Sequence, residues 1–226
     1  MNHQHLEKRH LTFQEIAELQ DILNSKADPK NSDWRAIRTK GDFILAASLE
    51  MAELIESAPW KWWKKGGDID WWNLKIEAID ILHFLASSIL LEGMPETAST
   101  YKLGFEANED STATLIDSEG IIKRDYALEL ICKVSTITDQ IEIVDEVMKA
   151  AGLQAAEISA IYLAKYTLNE LRWAGGYGDG TYEKFKKGGI EDNVFLKAVV
   201  DKFLKDESIN LGQLSDLVRE TMNELI

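Results

Sequence analysis

Two pairs of acidic residues have the spacing that places both members of a pair on one helix face. Glu50 and Glu53 form an ExxE pair, and Glu77 and Asp80 form an ExxD pair. Because residues three apart share a face, two such helices packed antiparallel bring four carboxylates together. At about 4 Å and an effective dielectric of about 20, two such charges repel by about 4 kcal/mol. The cluster therefore requires raised pKa values or cations, and Mg²⁺, which takes carboxylate and phosphate oxygens, is the natural partner.

The residues around these pairs distinguish a buried site from an ordinary solvated face. An ExxE pair by itself is typical of a solvated face. Here, however, residues 43–55 and 74–82 are apolar nearly all round, which predicts two buried helices. Acidic side chains at buried positions are costly unless they are paired or bind a metal. The pattern therefore predicts a metal-dependent site for a phosphate ester or anhydride.

A basic, tryptophan-rich connector joins the two acidic helices. It contains Lys61, Lys64 and Lys65, which would supply positive charge beside a bound metal and its phosphates. Five of the seven tryptophans fall at 60, 62, 63, 71 and 72, and we expect them mainly to pack. His83 follows Asp80 by three residues and could be an orienting group, a core histidine or a ligand. The ligand role ranks last because Mg²⁺ prefers oxygen.

Composition favours an all-α helical bundle. The 226 residues include only three prolines, so we expect a single domain over 1–226, with 94–150 as a candidate mobile helical subregion. The formal charge of −14 argues against a general nucleic-acid or membrane-surface binder. The polar start resembles neither a signal peptide nor a membrane anchor. Cys132, the one cysteine, is expected in the core. A single cysteine allows no internal disulfide, which predicts a reducing compartment such as the cytoplasm, or the host cytoplasm for a viral protein.

Apolar spacing and capping residues predict where the helices lie. We expect them at about 12–25, 42–58, 70–91, 121–148, 153–173, 192–203 and 210–225. Asp42 is the expected N-cap of the second helix, and the polar stretch 104–120 is expected to be an insertion without chemistry. Trp34 follows a turn-rich loop and is available for packing or for stacking on a base.

Two further sets of polar side chains share helix faces. Lys165, Asn169 and Arg172 are spaced by four and three, just before the glycine-rich run 175–180. Arginine with lysine is what triphosphate oxygens need. Gln20 and Asn24 are four apart on the first helix, and taken alone they are favoured as ordinary surface amides.

Together these segments resemble the dimeric all-α dUTP diphosphatases, a branch of the all-α nucleoside triphosphate pyrophosphohydrolases that also contains MazG-like enzymes. The two acidic pairs match the whole superfamily. The dimeric branch is indicated by the Gln20-x-x-x-Asn24 helix, the connector Trp60-Lys61-Trp62-Trp63-Lys64 and the segment Leu168-Asn169-x-x-Arg172. Gly176-Tyr177 and Tyr182 extend the resemblance. Phe185 directly after Lys184 departs from it, because the family often continues with an aromatic residue after a short gap.

The resemblance implies a homodimer that hydrolyses dUTP, and dUDP, to dUMP and requires Mg²⁺, with Mn²⁺ as a substitute. It implies that Glu50, Glu53, Glu77 and Asp80 bind the metal, and that Glu50 or Glu53 activates the water that attacks the β-phosphorus. It places Gln20 and Asn24 at the base and Asn169 near the sugar or the metal. The remaining candidate substrate contacts are Trp34, Lys61, Trp62, Lys64, His83, Lys165, Arg172, Tyr177 and Lys184.

Several alternatives stay open. An amide can turn end for end, so Gln20 and Asn24 could also match cytosine, and hydrolysis of dCTP, or of both dCTP and dUTP, is the first alternative. A broad MazG-like pyrophosphohydrolase and a protein that binds nucleotide without turnover are two more. A di-iron bundle is disfavoured because it needs Glu-x-x-His on each of two helices, whereas Glu77-x-x-Asp80-x-x-His83 occurs once.

Overall fold

Helices make up nearly all the regular structure in the computed structural model, which describes residues 9–27, 33–104, 114–136 and 140–225. Within these residues the α-helices are α1 Phe13–Ala27, α2 Trp34–Ile37, α3 Lys40–Glu56, α4 Trp71–Glu92, α5 Arg124–Thr136, α6 Gln140–Ala150, α7 Ala155–Ala174, α8 Asp192–Lys205 and α9 Leu211–Asn223. A small antiparallel hairpin pairs β1 Phe185–Lys186 with β2 Ile190–Glu191. The predicted all-α class is confirmed.

Helix α4 lies at the centre of the packing and carries half of the predicted acidic site. The Asp70 side chain caps its start by accepting a hydrogen bond from the Asn73 backbone N–H at 2.9 Å, and Gly93, with φ of +106°, ends it. Helix α4 contacts α1, α3, α6, α7 and α8. The prediction of a buried helix near 70–91 is therefore confirmed.

Helix α3 packs along α4 but differs from the prediction in two respects. Its N-cap is Thr39, and Asp42 is instead the third helical residue of a capping box, where its Oδ2 accepts from the Thr39 N–H at 2.8 Å. Leu45 and Leu49 are 64% and 59% exposed. The buried residues of α3 are Ala47, Met51 and Leu54. The expectation of burial nearly all round is therefore wrong for α3 in the single chain, because its outer side is exposed and apolar.

Helix α7 is buried along most of its length. Every side chain from Ile158 to Leu168 is buried, and the helix contacts α1, α4, α8 and α9. A helix surrounded on all sides in this way can present a charged group such as Lys165 only to partners inside the fold. The burial of α7 therefore determines which groups can pair with Lys165.

Two other predictions are wrong. The single helix expected at 121–148 is two helices, α5 and α6, and it begins only at Arg124 because Ile122 forms a β-bridge with Ile116. Cys132 is exposed rather than in the core.

The tryptophan connector is also more open than expected. Trp62, Trp63 and Trp71 are 79%, 55% and 50% exposed, so the prediction that these tryptophans mainly pack is wrong for the single chain. Trp60 and Trp72 do pack against the core. An exposed group of large aromatic rings is typical of a contact surface rather than of a packing element.

Some predictions fall outside the described residues. These are the polar start at 1–8, the turn-rich stretch at 28–32, most of the expected insertion at 105–113, and the junction 137–139. At the described end of the insertion, Leu115 and Ile116 are buried. The mobile subregion 94–150 stays a prediction. Among the described helices, none combines the length and the apolar character that crossing a membrane requires.

Candidate active site

A cleft of about 470 Å³ takes its walls from α1 to α4, α7 and the segment that leads into α8. One part of the cleft is acidic and contains Glu50 and Glu77. Another part is apolar and contains Phe43 and Phe84. On α3 and on α4 alike, the acidic and the aromatic residue are seven positions apart, which is about 10 Å of helix. The cleft therefore has two chemically different ends.

The acidic end brings the predicted carboxylates together. Oxygens of Glu50, Glu53 and Glu77 lie within 4.8 Å of one another, with Glu77 buried, Glu50 half-buried and Glu53 exposed. Asp80 lines the same cleft, but its Oδ2 lies 2.9 Å from the Lys165 ammonium. The structure thus places three carboxylates in one group of ligand size and a fourth beside it, paired with a buried lysine.

Burial and mutual repulsion change how these carboxylates titrate. Burial, followed by the Asp80 charge, raises the pKa of Glu77 to about 8 and the pKa of Glu50 to about 6. The two carboxyl groups also share a hydrogen bond, so Glu77 holds a proton near neutral pH and donates it to Glu50. The cluster carries less negative charge than four carboxylates would, and a cation that binds there must displace that proton.

The predicted phosphate cations are buried and already paired. The Arg172 Nε donates to Asp192 Oδ2 at 3.0 Å, and its Nη2 and Nη1 donate to Asn193 and Asn169 at 3.1 and 3.2 Å. With its second bond to Asp192, Arg172 uses four of its five N–H donors on described residues. Lys165 also donates to Asn193, at 3.1 Å. Arg172 would therefore meet a phosphate with one N–H and its charge, not with a full fork.

Asp192 and Asn193 are two partners of Arg172 at the candidate site that the sequence pattern does not predict. Both open helix α8, and Asp192 is fully buried. Although burial opposes it, the Arg172 guanidinium lowers the pKa of Asp192. The Tyr182 hydroxyl also donates to Asp192, at 2.9 Å. An acidic residue at a helix start has an ordinary explanation in the helix dipole, so the pattern gave no reason to link it with Arg172.

A tight turn after α7 places the next two predicted residues at the cleft. Gly176 has φ of +95°, and its carbonyl accepts backbone hydrogen bonds from Thr181 and Tyr182 at 3.1 and 3.4 Å. A Cβ at this position would lie 2.0 Å from Thr181 Oγ1, so only glycine fits the turn. Beyond it, Tyr177 and Lys184 both line the cleft.

At the apolar end, the amides of Gln20 and Asn24 face the cleft and hydrogen-bond each other. Gln20 Nε2 donates to Asn24 Oδ1 at 2.8 Å, and His83 Nδ1 lies 2.6 Å from Gln20 Oε1. Burial lowers the pKa of His83 to about 4, so the imidazole is neutral at pH 7. The preference for Gln20 as an ordinary surface amide is wrong, because it is 4% exposed.

Trp34 joins this end of the cleft as a fixed wall. It is 2% exposed, it lies edge-to-face on Phe43 with ring centroids 5.7 Å apart, and its Nε1 donates to Asp21 Oδ1 at 2.7 Å. By contrast, Lys61, Trp62 and Lys64 are not among the described residues that line the cleft, and Lys61 pairs with Glu56. The structure therefore does not bring the connector to the other candidate residues.

The comparison with known families gives a match that spans most of the chain. The chain matches a family model described as dUTPase over residues 12–177, which contains every predicted site residue except Lys184. A comparison with curated proteins gave no match. The matched span covers most of the chain, and the nine described helices are consistent with an all-α family. The chain therefore belongs to the all-α dUTPase family and is a dUTP-hydrolysing enzyme.

Proposed function

We propose that the enzyme hydrolyses dUTP, and also dUDP, to dUMP in a reaction that requires Mg²⁺, with Mn²⁺ as a substitute. The observation that carries this proposal is the two-ended cleft, in which a carboxylate cluster lies about 10 Å along α3 and α4 from apolar walls. The Gln20 and Asn24 amides line the same cleft. A nucleotide needs such different surroundings for its phosphate chain and its base.

Glu50, Glu53, Glu77 and Asp80 would hold the metal. Their fit rests on the donor set, because hard carboxylate oxygens are the ligands that Mg²⁺ prefers. It rests also on charge, because the cluster is now relieved by a proton on Glu77 and by Lys165 beside Asp80. A bound Mg²⁺ ion would supply polarisation of the phosphate chain and a lowered pKa for water.

Glu53 and Glu50 are the candidate general bases. Glu53 is exposed, so it can orient a water molecule in the cleft and take its proton. Attack of that water at the β-phosphorus would break the bond to the α-phosphate oxygen and release dUMP. The oxygen of the water would then leave in pyrophosphate, or in inorganic phosphate when the substrate is dUDP.

The base would bind at the opposite end. Gln20 and Asn24 present amide donors and acceptors there, and Trp34, Phe43 and Phe84 supply apolar walls for a ring. Three residues that line the cleft would lie near the phosphates: Arg172, Tyr177 and Lys184. Each of these residues has a role that the nucleotide chemistry explains.

Rates for four nucleotides test the proposal. We expect kcat/KM for dUTP to exceed the values for dCTP, dTTP and UTP, because the amide pair must match the pyrimidine edge and the cleft must accept the sugar. Pyrophosphate release measured for each substrate gives the comparison. Similar values for dUTP and dCTP would support a dual enzyme, and equal values for all four would support a broad MazG-like pyrophosphohydrolase. Nucleotide binding without release would favour a binding protein.

We also propose that the enzyme is a homodimer formed through the outer sides of α3 and α5. Leu45 and Leu49 are exposed on α3, and Leu128 and Cys132 are exposed on α5. These two helices pack together, with Ser48 and Ser135 hydrogen-bonded at 3.2 Å on the same side. An apolar surface of this kind is typical of an interface between copies.

Replacing Leu49 by glutamate should convert the dimer into a monomer. The substitution places a charge in the middle of the apolar surface, where a second copy would have to bury it. Sedimentation at micromolar concentration should give a species of twice the 25.6 kDa chain mass for the wild type and of the single mass for the variant. Val194→Glu alters another exposed apolar residue, on α8, and should stay dimeric. A monomeric wild type would contradict the proposal.

A further inference from the structure

Behind the Gln20 and Asn24 amides lies a second layer of polar groups that the proposed reaction does not use. Ser87, on α4, lies 3.0 Å from Asn24 Nδ2, which donates to its Oγ. Tyr162, on α7, lies 3.2 Å from Gln20 Oε1. Both of these side chains are fully buried. The layer connects the two amides of α1 to fixed points on two other helices, α4 and α7.

The hydrogen bonds at Ser87 give this chain of groups a direction. The Ser87 hydroxyl lies 2.8 Å from the backbone carbonyl of His83, which can only accept, and 3.5 Å from Asn24 Oδ1. Its one proton therefore goes to the carbonyl, as is usual for a serine inside a helix. The oxygen of Ser87 must then accept from Asn24, so Asn24 presents its NH₂ there and its carbonyl to Gln20.

At the other end of the chain, His83 and Tyr162 respond differently to the direction. The buried His83 Nε2 has no hydrogen-bond partner among the described residues, so the proton of the neutral imidazole is better placed on Nδ1, where it donates to Gln20 Oε1. The Tyr162 hydroxyl lies between two acceptors, the Ile16 carbonyl at 2.9 Å and Gln20 Oε1 at 3.2 Å, so it would gain a donor if both amides turned end for end. At Ser87 the same turn would cost a hydrogen bond, because its one proton would then face two acceptors. Ser87 and His83 therefore hold the observed direction, and Tyr162 does not.

The direction decides what the amides offer to a ligand. In the observed direction, Gln20 has a second N–H and Asn24 a second carbonyl lone pair, so a donor stands beside an acceptor in a fixed order. Uracil presents O4 and N3–H along its edge, whereas cytosine presents N4–H₂ and N3, which is the reverse order. Because the phosphate chain would hold the sugar toward the carboxylates, the base cannot turn over to correct a mismatch.

We propose that Ser87 favours uracil over cytosine by helping to fix the orientation of the Gln20 and Asn24 amides without touching the base. The inference rests on the proposed function, in which a pyrimidine base binds at this end of the cleft. Ser87 is thus a positioning residue, and its effect is on selectivity.

The test is the ratio of kcat/KM for dUTP to kcat/KM for dCTP in Ser87→Ala. Alanine neither donates nor accepts, so both amide orientations become available and the ratio should fall by about fivefold or more. Ser88→Ala is the matched control, because Ser88 is the next residue on α4, is fully buried, and has no hydrogen-bond partner among the described residues. Its ratio should equal that of the wild type.

Tyr162→Phe provides the second comparison. Because Tyr162 does not hold the observed amide direction, this variant should lower both rates without lowering the ratio. A partly folded variant also scales both rates equally, so poor folding cannot imitate the expected result. An unchanged ratio in Ser87→Ala, or a fall in Tyr162→Phe alone, would overturn the assignment to Ser87.

A binding measurement separates this inference from the proposed function. If the wild type released no pyrophosphate from dUTP or dCTP, the proposed function would fail. Calorimetric titration with the non-hydrolysable α,β-imido analogues of dUTP and dCTP would then decide the inference by itself. Tighter binding of the uracil analogue that is lost in Ser87→Ala would support it, and a preference that is the same in both proteins would overturn it.

Discussion

Removing divalent metal with EDTA should lower dUTP hydrolysis by about a thousandfold or more, to the background of the assay. The reason is that Glu50, Glu53 and Glu77 form a cluster of carboxylate oxygens. Such a cluster repels the negatively charged phosphate chain unless a cation neutralises it. Pyrophosphate release before and after chelation measures the effect, and added Mg²⁺ or Mn²⁺ should restore the rate. Unchanged activity after chelation and dialysis would contradict a metal requirement.

Binding of Mg²⁺ should also release protons, which can be measured without any turnover. Glu77, with a pKa of about 8, carries a proton at pH 7 that a metal ligand cannot keep. Titration calorimetry in two buffers with different ionisation enthalpies should therefore give different apparent heats. In Glu77→Gln this difference should shrink. Heats that are independent of the buffer in the wild type would indicate that the metal does not bind at Glu77.

The elements that the sequence predicts well are those fixed by local interactions. Helix α4 has an Asp70 cap at its start and Gly93 at its end, and its side chains are buried on nearly all sides, so spacing and composition both indicate it. The acidic pairs were found for the same reason, since three-residue spacing fixes a shared face wherever the helix packs. Their use as metal ligands stays a prediction.

Composition does not show what covers an apolar surface. Residues 43–55 are as apolar as 74–82, yet Leu45 and Leu49 are exposed in the single chain. The same reasoning predicts Cys132 in the core, and it is exposed. A helix that is apolar all round can be covered by its own fold or by another copy, and the pattern is the same in both cases.

Residues that act through distant partners could not be identified from the sequence. Asp192 meets Arg172 across 20 positions, and Ser87 meets Asn24 across 63. Each residue has a sufficient local explanation, one as the start of a helix and the other as a small residue inside one. Only the packing of α4 against α1 and of α8 against α7 brings out their second role.

Glu53→Gln, Glu77→Gln and Asp80→Asn should each lower the rate of dUTP hydrolysis by about a hundredfold or more, which is about 3 kcal/mol in the barrier. Each variant removes one anionic oxygen from the group proposed to hold the metal. Glu92→Gln is the matched control, because Glu92 ends α4 and pairs with Lys40 far from the cluster. Variants that unfold but keep their specific activity would show that these carboxylates are structural.

Stability in EDTA should separate two of these variants. The pKa of Glu77 lies at about 8 in the folded protein, above its ordinary value of 4.5, so the folded state holds a proton that the unfolded chain releases. This contribution to stability is fully present below pH 4.5 and is lost as the pH rises to 8. Glutamine does not ionise, so Glu77→Gln does not lose this stability as the pH rises. The variant should therefore be more stable than the wild type at pH 8, by on the order of a few kcal/mol.

The same measurement should give the opposite sign for Asp80→Asn. That variant leaves Lys165, which is 2% exposed, without its carboxylate, and the loss of one partner from a buried pair costs about 3 kcal/mol. Burial holds the pKa of His83 at about 4, below its ordinary 6.5, so His83 makes stability rise with pH between these values in every variant. Denaturant unfolding from pH 6.5 to 8 therefore isolates the carboxylates. Equal stability of both variants and the wild type across that range would mean that neither the raised pKa of Glu77 nor the pairing of Asp80 with Lys165 affects the stability of the fold.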